Sequence, residues 1–333
     1  MNSQPAPARH RAALAALVAV TITSNVGFVL YKASVLAHQP YAIGESSWFL
    51  AAHDLAPRFL LGGLLLMVMF GGRILQLTPA EWRQTAFMAV TSFAGCVLQL
   101  DGLQRTSAAT TSFLTQFYVV LIPLWWALLH RKRPDWRAPA ACVLVLAGVA
   151  VLARVDWQTF AIGRGEAEVL LAAVFFSFLL VSLNWPAFAH NRAERTSAAM
   201  FLIEGVLFAA LSLVTCREPA NLVAPYASPV WLTLMVASAL LGSVGPFVVM
   251  NHWQRFVTAT EAGVLYSFGP VIATLSEVFL PAVISGWAGI TYANQPLTMT
   301  LVVGGALILA ANGLLQWKPA RALQPVTTAP ADP

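Results

Sequence analysis

In a chain where only 10% of the residues are charged, every ionisable side chain inside an apolar stretch is a candidate for chemistry, because hydrocarbon tolerates it only if it is paired or used. His53, Asp54 and Arg58 stand together in the stretch from Ser46 to Gly71. Asp54 and Arg58 are one helical turn apart, so they share a face and can neutralise one another. That pattern suits an anion-binding guanidinium held by Asp54 until an anionic group arrives; it equally suits a structural ion pair near a surface. Glu204 stands alone in MFLIEGVLFAALSLV. It lies about eight residues inside its stretch, roughly 12 Å at 1.5 Å per residue, near the middle of a ~30 Å hydrocarbon core. A carboxyl group there is protonated or partnered. It can carry a proton, bind a cationic group, or hydrogen-bond a neighbouring helix as a packing residue.

Aligning FLLGGLL from Phe59 with FLIEGVL from Phe201 puts Gly62 on Glu204 and Gly63 on Gly205. Arg58 then precedes the position equivalent to Glu204 by one turn, so two halves of the chain could offer opposite charges to one zwitterionic or proton-linked ligand. Asp54 and Glu204 are the candidate proton-coupling groups. Gln116, Tyr118, Asn184, Trp185 and Tyr266 could line a cavity, with Pro186 freeing a carbonyl by interrupting its helix. Glu261 and Glu277 read as near-surface acids. His53 and Asp54 also form the one pair a membrane-embedded transferase could use. No metal-ligand spacing, phosphate-binding Gly loop or nucleophile turn accompanies them, so no cofactor and no metal are expected and catalysis is disfavoured. A non-transporting receptor or scaffold is the other alternative. Cys96, Cys142 and Cys216 sit in or at the ends of apolar runs and read as packing residues.

The elements that must hold these residues follow from composition. A 333-residue chain with 58% hydrophobic residues is far from the norm of soluble domains, and it reads as an all-α membrane protein. After a leader, 1–11, the apolar segments are Ala12 to Ala37, Ser46 to Gly71, Glu81 to Leu103, Ser107 to Leu129 and Pro134 to Ala153. The second half supplies Glu166 to Phe188, Thr196 to Thr215, Ser228 to His252, Thr258 to Ile284 and Thr298 to Trp317. Each is about the 20 residues needed to span, giving ten helices as two five-helix repeats, 12–153 and 166–317, and a disordered tail, 318–333.

Internal similarity supports the duplication: at an offset of 150, Gln104-Arg105 meets Gln254-Arg255, and at 151, Ser107-Ala108 meets Thr258-Ala259 and Phe117 meets Phe268. The net charge is +5, but thirteen of the nineteen Lys and Arg residues fall on one set of alternate connections. Lys32, Arg105, Arg154, Arg164 and Arg217 fall on the other, and Arg58 lies within a helix. The bias places both termini in the cytoplasm. An odd number of helices per repeat then inverts the second copy relative to the first, which is a transporter's architecture. No basic face with interleaved aromatics points to nucleic acid; the expected partners are the lipid bilayer and a small-molecule substrate, with the oligomeric state left open.

GLQRTSAATTSFLTQFYVVLIPLWWALL from Gly102, PDWRAPAACVLVLAGVAVL from Pro134 and TATEAGVLYSFGPVIATL from Thr258 resemble the EamA-type permeases of the drug/metabolite transporter superfamily. Lys32 and Arg58-Phe59-Leu60 look like that family's Lys and its Arg-Phe-Leu element. The resemblance, over Ala12 to Trp317, implies two five-helix repeats, a central cavity, alternating access and most commonly export across a plasma (inner) membrane. Three features depart from the family: Ser24-Asn25 replaces a Trp-Gly, Gly269 stands where a Glu often precedes Pro270-Val271, and a long apolar insert follows Phe279. The expected substrate is a small polar, amino-acid-like metabolite.

Overall fold

A computed structural model describes residues 7–131, 136–152, 162–183, 185–257 and 259–316. The leader's first six residues, the tail from Trp317 and the candidate Asn184 lie outside the described residues. Every regular element described is helical. In order they are α1 (Pro7–His38), α2 (Ser47–Phe70), α3 (Pro79–Arg105), α4 (Ala108–Thr115), α5 (Phe117–Leu129), α6 (Arg137–Leu152), α7 (Arg164–Leu183), α8 (Ala193–Thr215), α9 (Pro229–Ala237), α10 (Gly245–Trp253), α11 (Ala259–Ser267), α12 (Gly269–Ala288) and α13 (Met299–Gln316). A π-helical segment, Ser238–Val244, joins α9 to α10. Among the described residues nine helices are long and apolar enough to cross a bilayer, and a tenth, α6, is a shorter apolar helix. Large apolar side chains such as Val68, Val143, Leu213 and Val214 point outward, as they must where lipid replaces water.

Local chemistry sets the ends. Ser46 caps α2 by accepting the Phe49 N–H. Thr78 and Glu81 form a reciprocal capping box that starts α3 earlier than the apolar pattern does. The fourth apolar segment of each half, read as continuous, is broken. The first half breaks at Gln116, between α4 and α5, and the second at Phe268, between α11 and α12. Pro270 explains the second break, since its missing N–H leaves the Tyr266 carbonyl without its ladder partner. The sixth segment also ends sooner than expected. Its helix stops at Leu183, and Trp185 and Pro186 lie in the following turn rather than inside a span.

Pro281 shapes the insert. Its ring removes the donor for the Glu277 carbonyl one turn back, and the Gln295 N–H supplies a replacement at 3.1 Å. Asn294 accepts the Ala282 N–H, and Ser285 bonds both the N–H and the carbonyl of Tyr292. Gly289, in the left-handed region at φ 65°, lets the chain reverse. The helix expected to end at Ile284 therefore continues to Ala288 and is clasped by its own returning segment.

Two crossings bring the halves together through glycines, and both are reciprocal. A Cβ on Gly63 would meet Leu202 Cδ2 at 2.5 Å, while one on Gly205 would meet Leu60 Cγ at 2.6 Å. Likewise Gly148 faces Ile308 and Gly304 faces Leu152. These bare backbones allow close helix approach. Gly63→Ala should therefore lower stability by about 1–3 kcal/mol, the usual cost of overpacking, read as thermal unfolding in detergent. Gly286→Ala, with nothing within 4 Å, is the control and should be neutral or mildly stabilising.

Candidate functional site

The site lies where α2 crosses α8 and faces α1 and α3. Arg58 and Glu204 are 4% and 0% exposed. Arg58 places its guanidinium over the Tyr31 ring, 4.1 Å from the centroid, a cation–π contact favoured where water is excluded. Its Nε and Nη1 have no hydrogen-bond partner. Tyr31 in turn reaches the π segment: a Cβ on Gly242 would lie 2.3 Å from the Tyr31 hydroxyl. Such segments occur often at functional positions.

The expected closed ion pair between Asp54 and Arg58 is not formed. Asp54 Oδ1 instead accepts hydrogen bonds from the Ser34 hydroxyl and from Trp231 Nε1, the latter at 3.1 Å, while Oδ2 has no partner. The carboxylate is turned toward α1 and α9, and the guanidinium is drawn onto Tyr31. Both remain near enough to act on one another electrostatically. Glu204 has no charged partner, and apart from the nearby Ser92 hydroxyl its carboxyl oxygens are without hydrogen-bond partners. It neighbours Ser92, and Cys96 of α3 lies within electrostatic reach of both Glu204 and Arg58. Asp54 and Arg58 thus lie close together on α2, and Cys96 of α3 is the group within reach of both Arg58 and Glu204.

The remaining candidates lie elsewhere. Lys32 sits six residues before the end of α1 and donates to the Thr106 carbonyl. Gln116, at the α4–α5 break, accepts from Asn312 of α13 at 3.5 Å. Tyr266 lies near Tyr118 and donates to Gln254 at 3.4 Å. Trp185 stacks on Trp126 with centroids 5.8 Å apart. It lines an apolar cavity of about 550 Å³ with Trp125, Phe178 and Leu128, which offers little to orient a polar substrate.

Glu277 corrects a sequence expectation. It is fully buried, not near a surface, and its two oxygens accept the Ala108 and Ala109 N–H groups, each at 2.7 Å. A carboxylate thus caps the positive end of α4, beside Lys32. The usable signal was an acid inside an apolar run one turn before a proline. Two departures from the family pattern also meet in space. A Cβ on Gly269 would lie 2.6 Å from the Asn25 amide nitrogen, and Asn25 accepts from Ser112 at 3.2 Å. Asn25 fills the volume that a side chain at 269 would occupy.

The end of the bundle carrying Ser47 and Arg105 holds a polar recess of about 240 Å³, lined by Thr106, Ser107, Thr110, Glu166, Thr298 and Thr300. At this end Glu45 straps two loops together. Its carboxylate accepts the Arg217 N–H at 3.0 Å, the Glu218 N–H at 2.9 Å and the Asn221 amide at 3.1 Å. At the opposite end Glu81 accepts the Arg192 N–H at 3.2 Å and lies 3.9 Å from Arg195. Burial pushes the Glu45 carboxyl up, but the hydrogen bonds from Glu218, Asn221, Arg217 and Cys216 outweigh it and hold it below the usual value. A lowered folded-state value means that the strap adds stability above the ordinary carboxylate range, near 4.3. The contribution is lost as pH falls through the folded value. The difference in melting temperature between wild type and Glu45→Gln should be present at pH ~7 and disappear at pH ~3.

Comparison with known proteins agrees with this architecture. Residues 10–154 match the EamA-like transporter family. A protein of Archaeoglobus fulgidus described as an uncharacterized transporter is 25% identical over 203 residues, 58% of this chain and 61% of its own length. The chain thus spans under two thirds of that relative. A protein of known crystal structure superposes with a TM-score of 0.54 at 18% identity, covering 89% of this chain and 96% of its own, a likeness of fold.

Proposed function

We propose, from the match of residues 10–154 to the EamA-like transporter family, that the whole chain is a carrier of the plasma (inner) membrane. It moves a small polar, amino-acid-like metabolite by alternating access, with export as the working direction. The observation that carries this reading is the set of enclosed polar groups left short of partners: Arg58 Nε and Nη1, Asp54 Oδ2, and the Glu204 carboxyl with no partner beyond the nearby Ser92. Buried polar groups are nearly always satisfied, and a structural ion pair would have closed on itself. These groups are arranged to meet something that arrives, a carboxylate at Arg58 and an ammonium at Glu204. Their enclosure corresponds to an occluded form of the cycle.

Ten spans in two inverted repeats are part of the same proposal. The reciprocal contacts of Gly63 with Leu202 and Gly205 with Leu60, and of Gly148 with Ile308 and Gly304 with Leu152, are what a two-fold relation between the halves requires. The breaks at Gln116 and Phe268, one residue apart under the 151-residue offset, support it too. The glutamate straps, Glu45 at one end and Glu81 at the other, are placed to hold each face shut in turn. The transferase alternative loses support, since His53 is enclosed and its Nε2 engages the Leu222 carbonyl at 3.1 Å.

Thermal-shift screening against amino acids, their amides and simple carboxylates should find a stabilising compound, because a ligand of the folded state raises its melting temperature. That compound should then exchange across proteoliposomes. Neither stabilisation nor flux for any member of the panel would overturn the proposal. The proposed topology puts both termini in the cytoplasm. A cysteine at Gln4, in a background lacking the native cysteines, should resist an impermeant thiol reagent in intact cells; labelling would invert the assignment.

A further inference from the structure

Next to the Asp54–Arg58 region lies a second buried cluster that the substrate reading does not use. His38, the last residue of α1, is 0% exposed and His53 of α2 is 4% exposed. Their ring centroids are 4.9 Å apart. Phe49 and Trp231 pack against both rings, and Tyr226 stands edge-on to His53. Neither His38 nitrogen has a partner, nor does His53 Nδ1, nor Oδ2 of the adjoining Asp54. A neutral His53 can donate Nε2–H to the Leu222 carbonyl, 3.1 Å away, which leaves the Nδ1 lone pair as an open proton acceptor.

We propose that His38 and His53 form a proton-binding site that takes up a single proton between them, balanced by Asp54, and so couples proton binding to the charge available at Arg58. This rests on the reading that Arg58 meets the substrate. Two imidazolium ions at this separation without water would repel strongly, which limits the pair to one proton. The ionisable groups that face the pair are Asp54 on α2, with Arg58 one turn beyond it, and Tyr226 from the loop 216–227. α1 adds the Ser34 hydroxyl, already given to Asp54, and α9 adds Trp231, which does not titrate.

Charge balance names the substrate class. Asp54 and Arg58 cancel in the resting site. A carboxylate brought to Arg58 leaves one negative charge unbalanced, and a proton on His53 Nδ1, within electrostatic reach of Asp54, supplies the missing positive one. The proton thus accompanies substrates whose net charge is negative, organic carboxylates without a balancing ammonium group; a zwitterion, whose ammonium meets Glu204, brings its own positive charge. The proton's route is the loop above the pair: Leu222 belongs to the segment that Glu45 straps down through Arg217, Glu218 and Asn221, and Tyr226, 44% exposed, separates His53 from solvent. Release of that strap opens His53 to the same face as the polar recess.

The test needs no substrate. Protein carrying isotope-labelled histidine is titrated by NMR over roughly pH 4 to 8, the range in which imidazoles change charge. His10, His130, His190 and His252, all half-exposed or exposed, are replaced by Gln so that the two remaining signals belong to the pair. Both signals should shift with one shared midpoint, and Asp54→Asn should move that midpoint to lower pH by at least one unit. Two rings that stay neutral throughout, or that titrate independently of Asp54, would overturn the site. A pH gradient is then applied to proteoliposomes with a mixture of radiolabelled standard amino acids as the probe. Titration of the pair without gradient-driven uptake would sustain the proton site and sink the transport reading; gradient-driven uptake with silent histidines would do the reverse.

Discussion

Arg58→Gln should leave a folded protein with at least roughly thirtyfold lower substrate flux, while Arg105→Gln keeps wild-type flux. The contrast follows from where the two cations stand. Arg58 is enclosed, with Nε and Nη1 uncommitted and its plane over Tyr31. A carboxylate docking there gains charge-assisted hydrogen bonds in a water-poor setting, and loss of such a contact costs about 2–5 kcal/mol, or roughly 30- to 4,000-fold in affinity. Arg105, by contrast, is part-exposed at the bundle end, donating to Ser47 at 2.8 Å and lying 3.9 Å from Asp101 and Glu168. Such exposed pairs contribute about 0–1 kcal/mol. Removing Arg58 also strips Asp54 of its nearest balancing cation, so the single variant is expected to be less stable. Arg58→Gln combined with Asp54→Asn restores neutrality and should recover the melting temperature without recovering flux. Recovery of both would make the pair structural, and wild-type flux in folded Arg58→Gln would remove Arg58 from the substrate path.

Much of this arrangement was legible because a bilayer leaves so few ways to build. Apolar runs of spanning length had to be helices, and Asp54, Arg58 and Glu204 declared themselves by being charged where charge is expensive. The alignment of FLLGGLL with FLIEGVL related the two segments as equivalents without saying that they touch; in the structure they cross, and Gly63 receives Leu202 while Gly205 receives Leu60. What periodicity could not give was the direction in which side chains turn. An i, i+4 spacing permitted the Asp54–Arg58 pair, yet Ser34 and Trp231, distant in sequence, won the carboxylate. Glu277 was missed for the same reason, since its partners are backbone amides of α4 with no signature in residue type. His38, which the apolar pattern does not single out, acquires meaning from a ring on another helix. The break at Gln116 was hidden because no glycine or proline marks it; Thr111 and Thr115 instead bond back to carbonyls one turn earlier, competing with regular helix geometry.

Glu204→Gln is expected to fold as well as wild type and to bind amino-acid-like substrates at least tenfold more weakly at every pH, while carboxylates lacking an amino group bind unchanged. The side chain is fully buried on α8, with Ser92 and Cys96 of α3 beside it and no cation bonded to it. A glutamine matches the uncharged carboxyl group in size and polarity and brings no charge into this enclosed site. Stability should therefore be preserved. The variant differs only when a cation arrives: an ammonium group entering beside Glu204 can displace its proton and gain an ionic partner, and glutamine offers none. A substrate whose carboxylate sits on Arg58 would keep that half of its recognition, which is why the loss should fall on the amine-bearing compounds alone. A different outcome has its own meaning. If gradient-driven accumulation disappears while substrate-for-substrate exchange survives, Glu204 carries a proton through the cycle and does not touch the substrate's cation. If affinity and pH profile are both unaltered, Glu204 is a packing residue, and recognition contracts to α2, where Arg58 must then select substrates with Asp54 and the histidine pair as its only charged neighbours.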